Sequence, residues 1–199
     1  MIIQAGPVDF PKYIDKVLFV LGMLLFTVGQ GLLQLGREFV SNQSPVDFAH
    51  WLLLVGVVFL LPFIGRLPRR EIHLITIPLM LVAITAIIGM NVLDFIFWSL
   101  PAGEFKDQVV AHLMSTPSIW QPFIATGPGY PFNIGLLLIT SSYFSAARWG
   151  TFAVIAGTVT VYLGGGWFNV VGYAVITLGF FLNFDMLRPR SVFAGRTQN

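Results

Sequence analysis

Six apolar stretches, separated by short polar segments, fill most of this chain. They cover about residues 17–36, 46–64, 74–100, 131–148, 151–163 and 167–184. A helix needs roughly 20 apolar residues to cross the hydrocarbon core of a bilayer, and most of these stretches approach or exceed that length. The pattern predicts an all-α, polytopic integral membrane protein: a six-transmembrane-helix bundle that forms a single transmembrane domain.

The fifth stretch, 151–163, is shorter than the usual span of about 17 to 25 residues. A re-entrant or peripheral segment is therefore an alternative to a full crossing. With six spans, nine of the eleven Lys and Arg residues fall on one side, and only Arg37 and Lys106 fall on the other; with five spans the division is six against five. Because basic loops are typically cytoplasmic, the charges favour six spans. We expect both termini in the cytoplasm and the chain in a bacterial inner membrane or its equivalent.

The long connection between spans 3 and 4, residues 101–130, lies on the extracytoplasmic side in this topology. Phe105 and Val109 begin an apolar pattern at the spacing of one helix face, which predicts a short helix lying in the membrane interface. The residues after it are rich in Pro and Gly and favour a lid folded over the bundle. The residues that we assign to this extracytoplasmic lid are His112, Trp120 and Tyr130.

Composition excludes several classes of function. Only 10% of the residues are charged and the mean hydropathy is +0.80, whereas about 25% of the residues of a globular protein are charged. The basic residues are scattered and form no stripe, so we expect no nucleic acid partner. The absence of Cys excludes disulfides, thiolate nucleophiles and Cys-ligated metal centres. The three His residues lie at or beyond span ends, where they are poorly placed as haem ligands. The sequence leaves any cofactor unknown.

Asp94 is the carboxylate that falls deepest inside a predicted span, and an ionisable residue there is a functional-site hypothesis by default. Asn91 lies one turn earlier on the same face, and a polar stripe on span 1 rises toward the same end of the bundle. The candidate cluster consists of Asp94, Asn91, Arg37, Gln34, Gln30 and His50. If these groups enclose a cavity, we expect Asp94 to pair with Arg37 or His50. The alternative is that they join the helices by hydrogen bonds.

Further polar residues reach the same depth without forming a catalytic pattern. Asn133 and Asn169 begin spans 4 and 6, so polar groups from five of the six spans meet in one leaflet. Ser142 and its neighbours in span 4 have only His73 at their depth, and no Gly-x-Ser-x-Gly sequence occurs. We interpret these serines as small residues that allow close helix packing.

We therefore expect a non-catalytic membrane protein, a subunit or accessory component of a larger complex. Its expected partners are membrane lipid and other membrane protein subunits. The 19 Phe residues, the short loops and the single intramembrane charge favour this function. An alternative is a small transporter or ligand-binding protein with an outward-facing polar cavity around Asp94. A third hypothesis is an intramembrane enzyme that modifies lipid.

Overall fold

The computed structural model describes residues 10–68, 70–125 and 129–186. Within these ranges the chain forms α-helices, one π-helical turn at Gln121–Ala125, and no strand, so the all-α prediction is confirmed. The helices are α1 Phe10–Leu33, α2 Arg37–Ser41, α3 Phe48–Val58, α4 Leu61–Gly65, α5 Glu71–Ser99, α6 Glu104–Met114, α7 Pro117–Trp120, α8 Gly129–Ser141, α9 Arg148–Leu163 and α10 Trp167–Asn183.

Three of the described helical segments are long and apolar enough to cross a membrane: Pro11–Leu33, Phe48–Gly65 and Glu71–Ser99. A fourth crossing would require Pro117–Ala125 and Gly129–Ser141 to act together as one bent span. α10 is apolar but shorter. Helices that could cross a membrane are thus part of the architecture, whereas the count of six stays a prediction.

Helices in the six predicted ranges run alternately up and down. α1 contacts α3, α3 contacts α5, α5 contacts α8, and α10 contacts both α9 and α1. The directions of α3 and α8 follow from contacts at opposite ends of α5, where Asp94 meets His50 of α3 and His73 meets Ser142 just after α8. In α1, Phe19 and Phe26 meet Phe180 and Tyr173 of α10, so these two helices are antiparallel. The glycine contacts of α1 with α3, and of α9 with α10, are also antiparallel. We call the two ends of the bundle the Asp94 end and the Arg66 end, after Asp94 and the Arg66 that follows α4.

Phenylalanine rings fill the core near the Arg66 end. The ring of Phe19 in α1 packs edge-on against Phe63 and Phe180, with centroids 4.9 and 4.8 Å apart. Phe184 closes the group, 4.9 Å from Phe63. Edge-to-face pairs add to the packing energy because the positive ring edge meets the negative ring face. The Phe-rich composition therefore supplies the contact between α1, α4 and α10.

Facing glycines bring α9 and α10 unusually close together. Gly157 lies opposite Gly172, and Gly150 lies opposite Gly179, seven residues away along each helix. A Cβ atom at Gly157 would stand 2.6 Å from the carbonyl oxygen of Gly172. Small residues at such an interface let two helix backbones approach, as is common between membrane helices. The shortest predicted span is thus held by direct backbone proximity to α10.

The ends of two predicted spans differ most from the structure. α1 covers Phe10–Leu33 instead of 17–36, and tight turns follow it up to Gly36, whose φ of +101° favours glycine and ends the helix. Gln34 therefore lies in a turn and Arg37 starts a separate helix, so the continuous polar stripe predicted on span 1 is wrong beyond Leu33. Span 4 ends at Ser141 instead of residue 148, because the chain reverses toward α9 through turns over residues 142–147.

Candidate functional site

The first polar site begins at the N-terminus of α3. Asp47 is the N-cap residue, and its Oδ1 accepts a hydrogen bond from the backbone N–H of His50 at 3.2 Å. The other carboxylate oxygen, Oδ2, lies 2.5 Å from Nδ1 of His50. An N-cap carboxylate satisfies a backbone donor that the helix leaves open. Here the same carboxylate also orients the imidazole ring.

The opposite edge of that imidazole faces α5. Nε2 of His50 lies 3.3 Å from Oδ2 of Asp94, so the ring bridges two carboxylates. Exposure rises along the series, since the Asp47 side chain is 0% exposed, that of His50 11% and that of Asp94 28%. We call these three residues the Asp–His–Asp cluster. It connects a solvent-reachable carboxylate to a fully enclosed one.

The cluster can hold and transfer a proton. When Nδ1–H of His50 donates to Asp47, Nε2 faces Asp94 at the distance of an ion pair, as a potential acceptor in the neutral ring or a potential donor in the imidazolium. With both carboxylates ionised, the net charge is −1 when His50 is protonated and −2 when it is neutral. Either state attracts a proton or another cation.

Aromatic rings flank the cluster. The Phe95 ring meets the His50 ring edge-on at 6.2 Å and lies 5.3 Å from the ring of Trp51. Near this end, the buried Nε2 of Gln43 and Nε1 of Trp98 have no hydrogen-bond partner among the described residues. Aromatic rings and carboxylates both attract organic cations, and both kinds of group meet around His50.

The predicted candidate residues separate in the structure. Of the two partners predicted for Asp94, the structure brings His50 to it, while Arg37 is exposed on α2 and forms no ion pair within the described ranges. Asn91 is buried, its Nδ2 donates to the carbonyl oxygen of Ile87 in its own helix, and its Oδ1 has no described partner. Gln34 lies beside the turn between α9 and α10, next to Gly166. Of the two alternatives predicted for Asp94, the structure therefore shows the pairing with His50 and not the one with Arg37.

Asp47 is the member of the cluster that the sequence analysis missed. Its signal was its position, because Asp47 follows Pro45 at the start of an apolar stretch and precedes His50 by three residues. An Asp before an apolar helical run is a typical N-cap. That spacing places the carboxylate close to the side chain of the third residue of the helix.

A second polar site opens at the Asp94 end between α1, α5, α8, α9 and α10. This cleft has a volume of about 310 Å³, and we call it the tyrosine cleft. Its lining comprises Phe26, Gln30, Ile87, Met90, Gly129, Tyr130, Asn133, Val161, Tyr162, Gly164, Asn169 and Tyr173. Among the predicted candidates, Gln30 and Tyr130 lie here, not with Asp94.

The segment predicted as a lid is partly described. α6 covers Glu104–Met114, as the apolar pattern predicted, and His112 on it is exposed. Trp120 ends α7 and is half-buried. In the π-helical turn that follows, the Phe123 ring lies directly against Gly89 of α5. This contact holds the turn against α5, where glycine leaves room for the ring.

A serine–histidine contact at the Arg66 end corrects another expectation. His73 is buried, its Nδ1 lies 2.5 Å from the carbonyl oxygen of Pro68, and its Nε2 lies 2.8 Å from Oγ of Ser142. Because Nδ1–H must donate to the carbonyl, Nε2 accepts the bond from the serine hydroxyl. Ser142 thus has a histidine partner, and the pair joins α5 to the turn after α8.

Within the described ranges, no group of three or more His, Asp and Glu side chains has a geometry that could hold a metal ion. Comparisons with protein-family models, with curated proteins and with solved structures find no match to this chain.

Proposed function

We propose that this chain is a small membrane transporter or ligand-binding protein that takes up an organic cation at Asp94 in exchange for a proton. The observation that carries the proposal is the bridging of Asp47 and Asp94 by His50. An incoming cation would compete with the proton between His50 and Asp94 for the same carboxylate. The displaced proton would leave at the partly exposed Asp94 carboxylate, and the buried Asp47 would keep the ring of His50 oriented toward the site.

The proposal includes six spans, cytoplasmic termini and an Asp94 end that faces the outside. The alternating direction of the helical segments supports it, as does the concentration of Lys and Arg on one predicted side. α9 covers Arg148–Leu163, three residues more than predicted. At about 1.5 Å per residue its 16 residues extend roughly 24 Å, which a locally thinned bilayer accommodates.

Cysteine labelling tests the topology, since the native chain contains no cysteine. Gly165, in the turn after α9, is exposed and a Cβ there meets nothing within 4 Å. In intact bacterial cells, we expect a membrane-impermeant maleimide to label the Gly165→Cys and Lys106→Cys variants. The Arg148→Cys variant should react only after permeabilisation. If α9 does not cross, Gly165→Cys will instead behave like Arg148→Cys.

Thermal unfolding in detergent tests the cation site. We expect tetramethylammonium or ethylammonium, at constant ionic strength, to raise the unfolding temperature of the native protein. A ligand at 100 times its Kd stabilises a protein by about 2.7 kcal/mol. The effect should diminish at lower pH, where protons compete, and disappear in Asp94→Asn. The control is Asp107→Asn, which removes an exposed carboxylate on α6. Equal shifts in Asp94→Asn and the native protein would contradict the proposal.

A second candidate is the accessory subunit that the sequence favours. It is supported by the outer surface of α9, where Trp149 and Leu163 are almost wholly exposed in the isolated chain. A neighbouring span would cover these side chains. Native mass spectrometry after mild extraction distinguishes the two functions, because a subunit should leave the membrane in a larger hetero-complex, and a self-contained binding protein should leave it alone or as a homo-oligomer.

A further inference from the structure

The tyrosine cleft is separate from the Asp–His–Asp cluster and has a different chemistry. None of the residues that line it is charged. Its polar groups are the amides of Gln30, Asn133 and Asn169 and the hydroxyls of three tyrosines. α5 contributes Ile87 and Met90, one to two turns before Asp94, which is absent from the lining. The cleft therefore offers hydrogen bonds without a counter-charge.

Asn133 marks the inner part of the cleft. Its Nδ2 donates to the carbonyl oxygen of Gly129 at 2.9 Å and to the hydroxyl oxygen of Tyr173 at 3.2 Å. Its Oδ1 is buried and has no partner among the described residues. Because Tyr173 accepts the bond from Asn133, its own hydroxyl proton is free to donate. A donor and an acceptor are thus held together in a buried position, where an unsatisfied polar group is costly.

Aromatic faces form the outer part. The rings of Tyr130 and Tyr162 stack with centroids 5.5 Å apart and an angle of 21° between their planes. Both are accessible, at 59% and 45% exposure. Deeper in the cleft, Phe26 meets Tyr173 edge-on at 4.9 Å. The cleft therefore presents flat apolar surfaces at its mouth and amide and phenol groups below them.

We propose that the tyrosine cleft binds a neutral, hydroxyl-bearing ring, namely the sugar of a glycolipid headgroup or a free sugar. Amide and phenol groups match the donors and acceptors of sugar hydroxyls, and aromatic faces match the apolar face of the ring. A charged headgroup would lose its hydration without gaining a partner of opposite charge. A volume of about 310 Å³ is at the low end of the range of about 300–1,000 Å³ for small-molecule sites, which fits one ring.

Native mass spectrometry in a detergent without a sugar headgroup tests this site. The probes are a monoglucosyl diacylglycerol, the diacylglycerol with the same acyl chains, phosphatidylglycerol, and free glucose. We expect the protein to retain the glucosyl lipid in preference to the other two lipids. If free glucose displaces it, a soluble sugar is a sufficient ligand; if glucose does not, the site requires the lipid. Equal retention of the sugar-free diacylglycerol, or stronger retention of phosphatidylglycerol, would overturn the proposal.

Variants at the mouth of the cleft provide the second measurement. Tyr162→Ala removes a stacking face from an exposed position and should weaken glucosyl-lipid binding by about tenfold. The control is Trp167→Ala, which removes an exposed aromatic ring at the same end but outside the cleft lining. Unchanged binding in Tyr162→Ala, or equal losses in both variants, would overturn the assignment. Asp94→Asn should bind the sugar normally, so failure of this proposal is distinguishable from failure of the cation site.

Discussion

Replacing Gly157 by Ala tests whether α9 is held to α10 by backbone proximity. The added Cβ would lie 2.6 Å from the carbonyl oxygen of Gly172, 2.8 Å from Cγ1 of Ile176 and 2.9 Å from the backbone nitrogen of Ile176. Two of these three neighbours are backbone atoms, which cannot move away by a change of rotamer. Ordinary contact begins at 3.4 Å. The two helices must therefore separate by about 0.8 Å at this point.

Overpacking of this kind costs about 1–3 kcal/mol. Part of this cost is offset, because the helix propensity of alanine is about 1 kcal/mol more favourable than that of glycine in the interior of a helix. The crossing cannot easily tilt around Gly157, since Gly150 and Gly179 form a second close approach seven residues away. We therefore expect Gly157→Ala to lower the free energy of unfolding by up to about 2 kcal/mol, and to be about 1–3 kcal/mol less stable than a variant that gains only the helix propensity.

The matched control is Gly31→Ala, also in a helix. A Cβ at Gly31 meets only Cγ1 of Val170, at 3.7 Å, an ordinary contact. Only the gain in helix propensity remains there, so this variant should be neutral or more stable by up to about 1 kcal/mol. Reversible unfolding in mixed micelles, followed by tryptophan fluorescence, measures both variants. If Gly157→Ala proves as stable as Gly31→Ala, the close packing of α9 on α10 is refuted.

Two carboxylates give further predictions, each measurable by thermal unfolding. Asp47→Ala should lower the free energy of unfolding by about 1–3 kcal/mol, because the α3 cap is lost and buried His50 loses its acceptor. Asp47→Asn should recover most of the stability that the cap contributes. An Asn variant as unstable as the Ala variant would contradict the capping role. Asp15, buried in α1, accepts two hydrogen bonds from Arg66 at 2.7 and 2.8 Å. Because the Arg66 side chain is 56% exposed, water and salt weaken this ion pair. Asp15→Asn should therefore lower the free energy of unfolding by about 1 kcal/mol at low salt and by less in 1 M salt. A loss of stability that does not depend on salt would argue against an ionic contribution.

The lengths of the apolar stretches were sufficient to predict the helical class and the positions of the main helices. These signals are local, because a helix that contacts lipid needs apolar residues along its whole length. The end of α1 was not predictable in the same way. Gly36 looked like one more small residue of an apolar stretch, yet its positive φ ends the helix region and turns Arg37 away from the bundle.

The partner of Asp94 shows what helical spacing leaves open. Spacing along α5 predicts the depth of Asp94 and puts Asn91 on a neighbouring part of the same face. Depth alone made Arg37 and His50 equal candidates, because both lie near the same end. The choice depends on which helix stands beside α5, and the structure puts the start of α3 there. Asp47 then joins the cluster because it is the N-cap residue of α3, and this local interaction places its carboxylate next to His50.

The arrangement of the helices also explains why the polar residues predicted for one leaflet form two sites instead of one cavity. Gln30, Asn133 and Asn169 were predicted at a depth similar to that of Asp94, but they belong to α1, α8 and α10 and line the tyrosine cleft, whose lining contains no residue of α3. Acidic groups and a histidine gather between α3 and α5, and neutral amides and phenols gather where α8, α9 and α10 converge on α1. The cation that we propose for the first site would have no counter-charge at the second. The order of the helices around the bundle, which no single span encodes, therefore separates the two ligand chemistries.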